Sequence, residues 1–189
     1  MRQPTAHVPL FRDRPLAWQV AAVIAGTAVL AVASRVEVPM IPVPITMQTY
    51  AVAVIGALYG WRLGAITVLA WLAQAAIGLP VLASGKFGLA PFVGPTAGYL
   101  FAFPLMALLT GWLAERGWNG NRPGRAFTAM LAANALCLAL GAAWLSTLMG
   151  WEKAIAVGVT PFILGGVLKS ALGALTLRLV RRGETGTAL

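Results

Sequence analysis

Apolar runs recur along this chain at 16–34, 47–59, 63–77, 98–113, 126–148 and 161–180, and they leave little freedom in the choice of fold. A bilayer's hydrocarbon core takes roughly 20 helical residues to cross, and backbone facing lipid must satisfy its own hydrogen bonds. The runs therefore read as spans of an all-α integral membrane protein with six transmembrane helices, the second and third short and adjoining. Composition agrees: 59% of residues are hydrophobic, 10% are charged and mean hydropathy is +0.81, whereas soluble domains are about half apolar and a quarter charged. At 189 residues the chain holds one such domain, 16–182, between tails at 1–15 and 183–189, with no room for a large soluble domain.

The first run has basic residues before it and Ala31-Val32-Ala33 at its end, a superficial signal-peptide pattern. It is long for a signal sequence, and its removal would leave an odd number of spans, so it reads as a retained first helix. Its small residues Ala17, Ala21, Ala25, Ala28 and Ala33 fall in rows that admit a close neighbour, either inside the bundle or on a second membrane subunit.

The net charge of +9 raises nucleic acid as a partner, but the basic residues are scattered between spans, so topology explains them better. With both termini in the cytoplasm, Arg2, Arg12, Arg14, Arg62, Arg116, Arg122, Arg125, Arg178, Arg181 and Arg182 lie inside, and Arg35, Lys86 and Lys153 lie outside. This is the positive-inside asymmetry of a multi-pass membrane protein. The outer side then gathers three irregular segments, about 35–47, 79–97 and 149–160. Pro39, Pro42 and Pro44 forbid a regular helix in the first, a candidate lid. The second is rich in glycine and proline yet apolar, as expected of a cavity-lining loop. Gly56, Gly60 and Gly64 straddle a turn and suit close packing of spans two and three.

Inside the last run sits one cation, Lys169. Thr160 and Pro161 suit a helix start, and Phe162, Gly166, Lys169 and Gly173 then share one face. None of the five acids, Asp13, Glu37, Glu115, Glu152 and Glu184, lies in a run. Lys169 therefore snorkels outward, or pairs with Glu37 or Glu152 folded in from outside, or meets a ligand with an anionic or strongly accepting oxygen. The space beside Gly166 and Gly173 favours the ligand. Polar companions in such a pocket would be Thr46, Gln48, Ser84, Lys86, Thr96, Tyr99 and Asn134, with Phe87, Phe92, Trp144 and Phe162 as apolar walls.

Catalytic readings fail on their residues. Gly165-Gly166-Val167-Leu168-Lys169-Ser170 lacks the adjacent lysine and hydroxyl of a phosphate loop. Ser84 has no G-x-S-x-G frame, the single histidine is His7 in the tail, and no acid pair is available for hydrolysis. Cys137 is the only cysteine, which excludes an internal disulfide and a thiolate metal cluster. No cofactor and no nucleic acid are expected.

V-P-I-T-M-Q-T at 43–49, G-A-L-Y-G at 56–60, G-L-P-V at 78–81, P-T-A-G-Y-L at 95–100, L-G-A-A-W-L at 140–145 and P-F-I-L-G-G-V-L-K at 161–169 resemble, in order and spacing, the BioY family. These are biotin-binding S components of energy-coupling factor (ECF) transporters. The resemblance implies an S-component fold and high-affinity capture of biotin from outside. It also implies uptake driven by a separate transmembrane coupling subunit and cytoplasmic ATPases, which alone would use ATP. It implies that Ala21, Ala25 and Ala28 dock on the coupling subunit, that the loop before Thr46 closes the pocket, and that binding residues lie near Ser84, Lys86, Phe87 and Lys169. The family pattern has an aspartate where Gly166 stands, so the ureido N–H groups would need another acceptor: Gln48, Thr46, Asn134 or a backbone carbonyl. Two other expectations remain: an S component for another small vitamin, and a structural membrane protein whose lysine snorkels.

Overall fold

The computed structural model describes residue 10 and residues 14–186, with side chains as far as 182. Most of the expected tails, with Arg2, His7, Arg12, Asp13 and the side chain of Glu184, lies outside the described residues. Among the described residues six α-helices form the fold: α1 Leu16–Arg35, α2 Gln48–Ala76, α3 Ala97–Glu115, α4 Pro123–Met149, α5 Trp151–Gly158 and α6 Phe162–Gly186. Five are long and apolar enough to cross a membrane, and α5 is only eight residues long.

α2 is folded back on itself. Gly60 has φ 82° and ψ 168°, a region that only glycine adopts freely, and it separates helical halves at 48–59 and 61–76. The halves pack so closely that a Cβ on Gly64 would lie 2.8 Å from Gly56 Cα, the close contact expected from the glycine spacing. Gly60→Ala is expected to lower stability by about 1–3 kcal/mol through backbone strain alone, seen as a lower melting temperature of the purified protein in detergent. An unchanged transition would mean that the fold-back does not depend on this glycine.

The hairpin sorts the molecule into two ends. At one, Trp61 N donates to Glu115 Oε1 at 3.4 Å, the Arg62 guanidinium lies over the Trp61 ring and that of Arg116 over Trp112, and Gly120 packs on Leu177. At the other, the irregular segments lie across the helix ends. Trp71, wholly buried, donates its indole N–H to Val81 O at 3.1 Å and lies 6.0 Å from the ring of Phe103. Leu30, Val52, Val68, Met106 and Leu145 complete this core.

Four sequence expectations change in detail. The segment after α4 is mostly helix, α5, with Ala154 and Gly158 turned inward. The first irregular segment holds a two-residue antiparallel ladder, β1 Glu37–Val38 with β2 Ile45–Thr46. All three prolines fall between the strands, where no ladder N–H is needed. Thr160 does not open α6: its hydroxyl donates backward to Ile155 O at 3.2 Å. Gly173 opens no space beside Lys169, because the Met130 thioether already fills its surroundings.

Candidate functional site

Beneath the irregular segments lies a cavity with about 740 Å³ of atom-free space, its open mouth included. Every helix except α1 and α5 contributes to its wall. The first segment and the start of α2 supply Val43, Pro44, Thr46, Gln48 and Thr49, and the second segment supplies Leu82, Ala83, Lys86, Pro91 and Thr96. α3 brings Tyr99, Leu100 and Phe103; α4 brings Asn134, Cys137 and Leu138; α6 brings Phe162, Gly166 and Lys169.

Lys169 is answered by neutral oxygens. Its ammonium donates to Thr46 O at 2.8 Å and Thr49 Oγ1 at 3.1 Å, leaving one of three N–H bonds for the cavity. Because α2 starts only at Gln48, the preceding backbone dips to the depth of Lys169, and the lysine satisfies a carbonyl that lies outside any helix. Behind it a short chain fixes the α2 entrance. Thr46 Oγ1 donates to Gln48 Oε1 at 2.9 Å, Gln48 Nε2 donates to Ser34 Oγ at 3.0 Å, and Ser34 Oγ donates to Leu30 O at 2.7 Å.

Among the described residues no carboxylate lines this wall, whereas two ammonium groups do. Lys169 is half-buried; Lys86 is exposed at the rim, where it also borders an outer cleft with Ser84 and Phe87. The two charges thus mark the inner and outer parts of one electropositive, mostly apolar cavity. Tyr99 shows it a ring, 6.2 Å from that of Phe162, because its hydroxyl donates to Gly158 O at 2.7 Å. Thr96 Oγ1 donates to Pro91 O at 3.3 Å, and Asn134 reaches in from α4.

Of the thirteen residues anticipated for the pocket, Thr46, Gln48, Lys86, Thr96, Tyr99, Asn134, Phe162, Gly166 and Lys169 meet in this wall, and four stand apart. Ser84 faces outward and clasps Glu37, whose carboxylate accepts both Ser84 N and Ser84 Oγ at 2.9 Å. Phe87 is 58% exposed in the outer cleft. Trp144 donates its indole N–H to Gly94 O at 2.9 Å and so braces the second segment from behind. Phe92, a fourth expected wall, packs on the ring of Phe101 and does not line the cavity. Thr49, Leu82, Phe103 and Cys137 were not anticipated as wall residues; only Thr49 carried a readable signal, a hydroxyl three residues after Thr46.

The mouth is held by contacts between segments far apart in sequence. Besides the Glu37 clasp, Arg35 Nη2 donates to Pro80 O at 2.6 Å. Ser84 sits at φ 55°, a left-handed conformation that turns its N–H and hydroxyl toward the same carboxylate.

Comparison with known proteins agrees with these features. The BioY family profile matches residues 5–185. A protein of Rhizobium etli described as "Biotin transporter BioY" is 40% identical over 180 residues, covering 91% of this chain and 94% of that one. One of Thermotoga maritima with the same description is 36% identical over 159 residues, covering 81% and 90%. Among solved structures, the S-component for biotin from an ECF-type ABC transporter superposes with a TM-score of 0.78 at 28% identity, covering 88% of this chain and 92% of that one.

Proposed function

The chain belongs to the BioY family, and from that premise we infer that it is the biotin-specific S component of an ECF transporter. It is a multi-pass membrane transporter and not an enzyme. We further propose the following arrangement. The two halves of α2 count as separate crossings, giving six, with both termini in the cytoplasm, since arginines collect at the hairpin end and the cavity opens at the other. Biotin then enters from the extracytoplasmic side.

The observation that carries the binding reading is the spacing of two cations in one apolar cavity, one half-buried and one at the rim. Biotin has a compact polar ureido head and a carboxylate separated by an aliphatic chain. Lys169 suits the ureido oxygen, with the head deep between α4 and α6, and Lys86 suits the carboxylate at the mouth. Thr46, Gln48, Thr96, Tyr99, Phe162 and Gly166 complete the proposed site, and Ser84 serves it through the clasp. The partners in uptake are a transmembrane coupling subunit and cytoplasmic ATPases, a reading supported by the likeness to the S-component for biotin from an ECF-type ABC transporter. Equilibrium binding of labelled biotin to the purified protein, with other vitamins as competitors, tests this. Saturable submicromolar binding of biotin alone is expected; preferential binding of another vitamin, or no saturable binding, would overturn it.

The clasp makes a separate prediction about rate. Glu37→Ala removes both hydrogen bonds to Ser84 and frees the first segment from the second. Because this pair is exposed, the expected effect is modest: biotin dissociation about 3- to 10-fold faster, followed by chase with unlabelled ligand. An unchanged rate would show that opening of the mouth does not pass through this contact.

A further inference from the structure

Asn134 is 6% exposed, and both hydrogens of its amide are engaged. Nδ2 donates to Met130 O at 3.0 Å and to Ser170 Oγ at 3.1 Å. A backbone carbonyl only accepts, so the amide cannot be turned end for end without losing that bond. Ser170 adds to the constraint. Its own hydroxyl donates to Gly166 O at 2.7 Å, so it meets Nδ2 with a lone pair and not with a hydrogen. Oδ1 is therefore held as a fixed acceptor and receives no hydrogen bond among the described residues. Every fully buried side-chain nitrogen or oxygen among them does have a partner, which means that Oδ1 is open to the cavity. Gly166 borders it without a side chain: a Cβ there would stand 4.0 Å from Oδ1.

The other polar groups of the wall do not offer this. The lysines only donate, Gln48 Oε1 already accepts from Thr46, and Tyr99 turns its hydroxyl away to Gly158 O; Thr96 Oγ1 keeps lone pairs while donating to Pro91 O, but it stands on the second irregular segment and not on the α4 and α6 side where the head is proposed. We propose that Asn134 Oδ1 is the acceptor that selects ligands bearing a ring N–H, with Ser170 as the positioning residue that holds the amide in that orientation. Lys169 and Asn134 then form a donor and acceptor pair that reads C=O and N–H of one ureido ring. This rests on the biotin reading above and names the atom that gives it specificity. A buried acceptor left without a donor is unfavourable, so a ligand that lacks the N–H is penalised and not merely bound less well.

The test compares biotin with two isosteric analogues, each with one ureido N–H replaced by CH₂, by equilibrium binding to the purified full chain. The unmodified protein should bind one of the analogues about 100-fold more weakly than biotin. Asn134→Ala should weaken biotin about 10- to 100-fold and bring the three ligands to similar affinity. Ser170→Ala should narrow the same ratio, and Ser170→Thr, which restores the hydroxyl, should recover it. Full discrimination in Asn134→Ala would overturn the assignment. If that variant does not fold, equal affinity of the unmodified protein for all three ligands would overturn it instead. Failure of the unmodified protein to bind biotin at all would refute the functional reading, a distinct outcome.

Discussion

Lys169→Met is expected to weaken biotin binding by about 2–4 kcal/mol, roughly 30- to 1000-fold, while the protein still folds. Methionine keeps the unbranched stem of lysine and is one heavy atom shorter, so most of the volume between α4 and α6 remains filled. What disappears is the charge-assisted hydrogen bond available to a ligand oxygen in a largely apolar cavity. A second consequence is structural, because Thr46 O and Thr49 Oγ1 lose their donor and the backbone entering α2 loses its tie to α6. The two are separable: titration with labelled biotin reads the first, and thermal unfolding without ligand reads the second. A lower melting temperature with unchanged affinity would make Lys169 a structural peg for the first segment and remove it from the site. Lys169→Arg is expected to fall in between, since a planar fork is longer and differently shaped than a point ammonium.

Lys169 and its surroundings also show how far such a site is legible beforehand. A cation inside an apolar run stands out because so few residue types are expensive there. Gly166 was legible for the same helix face, but Gly173, its apparent twin, admits the Met130 side chain of α4 and no ligand. Glycine spacing reports only that something comes close, whether helix or ligand. Cys137, Leu82 and Phe103 gave no warning, since an apolar residue on a span looks the same facing lipid, core or cavity. Phe87 and Trp144 failed in the opposite way. Both are aromatic residues near the site, yet a short turn points Phe87 outward, and the Trp144 indole is drawn to a loop carbonyl.

The fold was more readable than the site because the cost of unsatisfied backbone in lipid acts on whole segments. The spans follow from apolar length, and the reversal at Gly60 follows from three spaced glycines. α5 was missed because eight residues beginning Trp151-Glu152-Lys153 look like a polar loop, although Ala154 and Gly158 form an inward edge at helical spacing. The ladder of β1 and β2 was hidden by its prolines, which mark the connection and leave two residues on each side to pair. In both cases tertiary contact stabilises a piece too short to announce itself locally.

Ala25→Trp is expected to abolish uptake, by tenfold or more, while biotin affinity in detergent stays within about twofold. α1 turns Ala22, Gly26, Thr27, Leu30 and Ser34 toward the bundle, and Ala21, Ala25 and Ala28 are exposed on its other side. The anticipated row of Ala17, Ala21, Ala25 and Ala28 thus faces away from the bundle, against the reading that it packs inside, and a different row of small residues, Ala22 and Gly26, faces inward. The inner row permits contact with α2, where a Cβ on Gly26 would meet Thr67, and the outer row is left for a partner. α1 is also the least enclosed span, with 22% of its apolar window buried against 61% in α2 and α3. In lipid, where hydrophobic driving force between helices is absent, close backbone approach is what such a face offers to the proposed coupling subunit. An indole at its centre holds the helices apart and forfeits dispersion contacts along the whole crossing. None of these residues lines the cavity, so binding serves as the internal control. Ala139→Trp, the same change at an exposed alanine of α4, controls for bulk facing lipid. Loss of co-purification with the coupling subunit in Ala25→Trp, but not in Ala139→Trp, is the expected result. Normal complex formation and uptake in Ala25→Trp would exclude this face of α1 from docking.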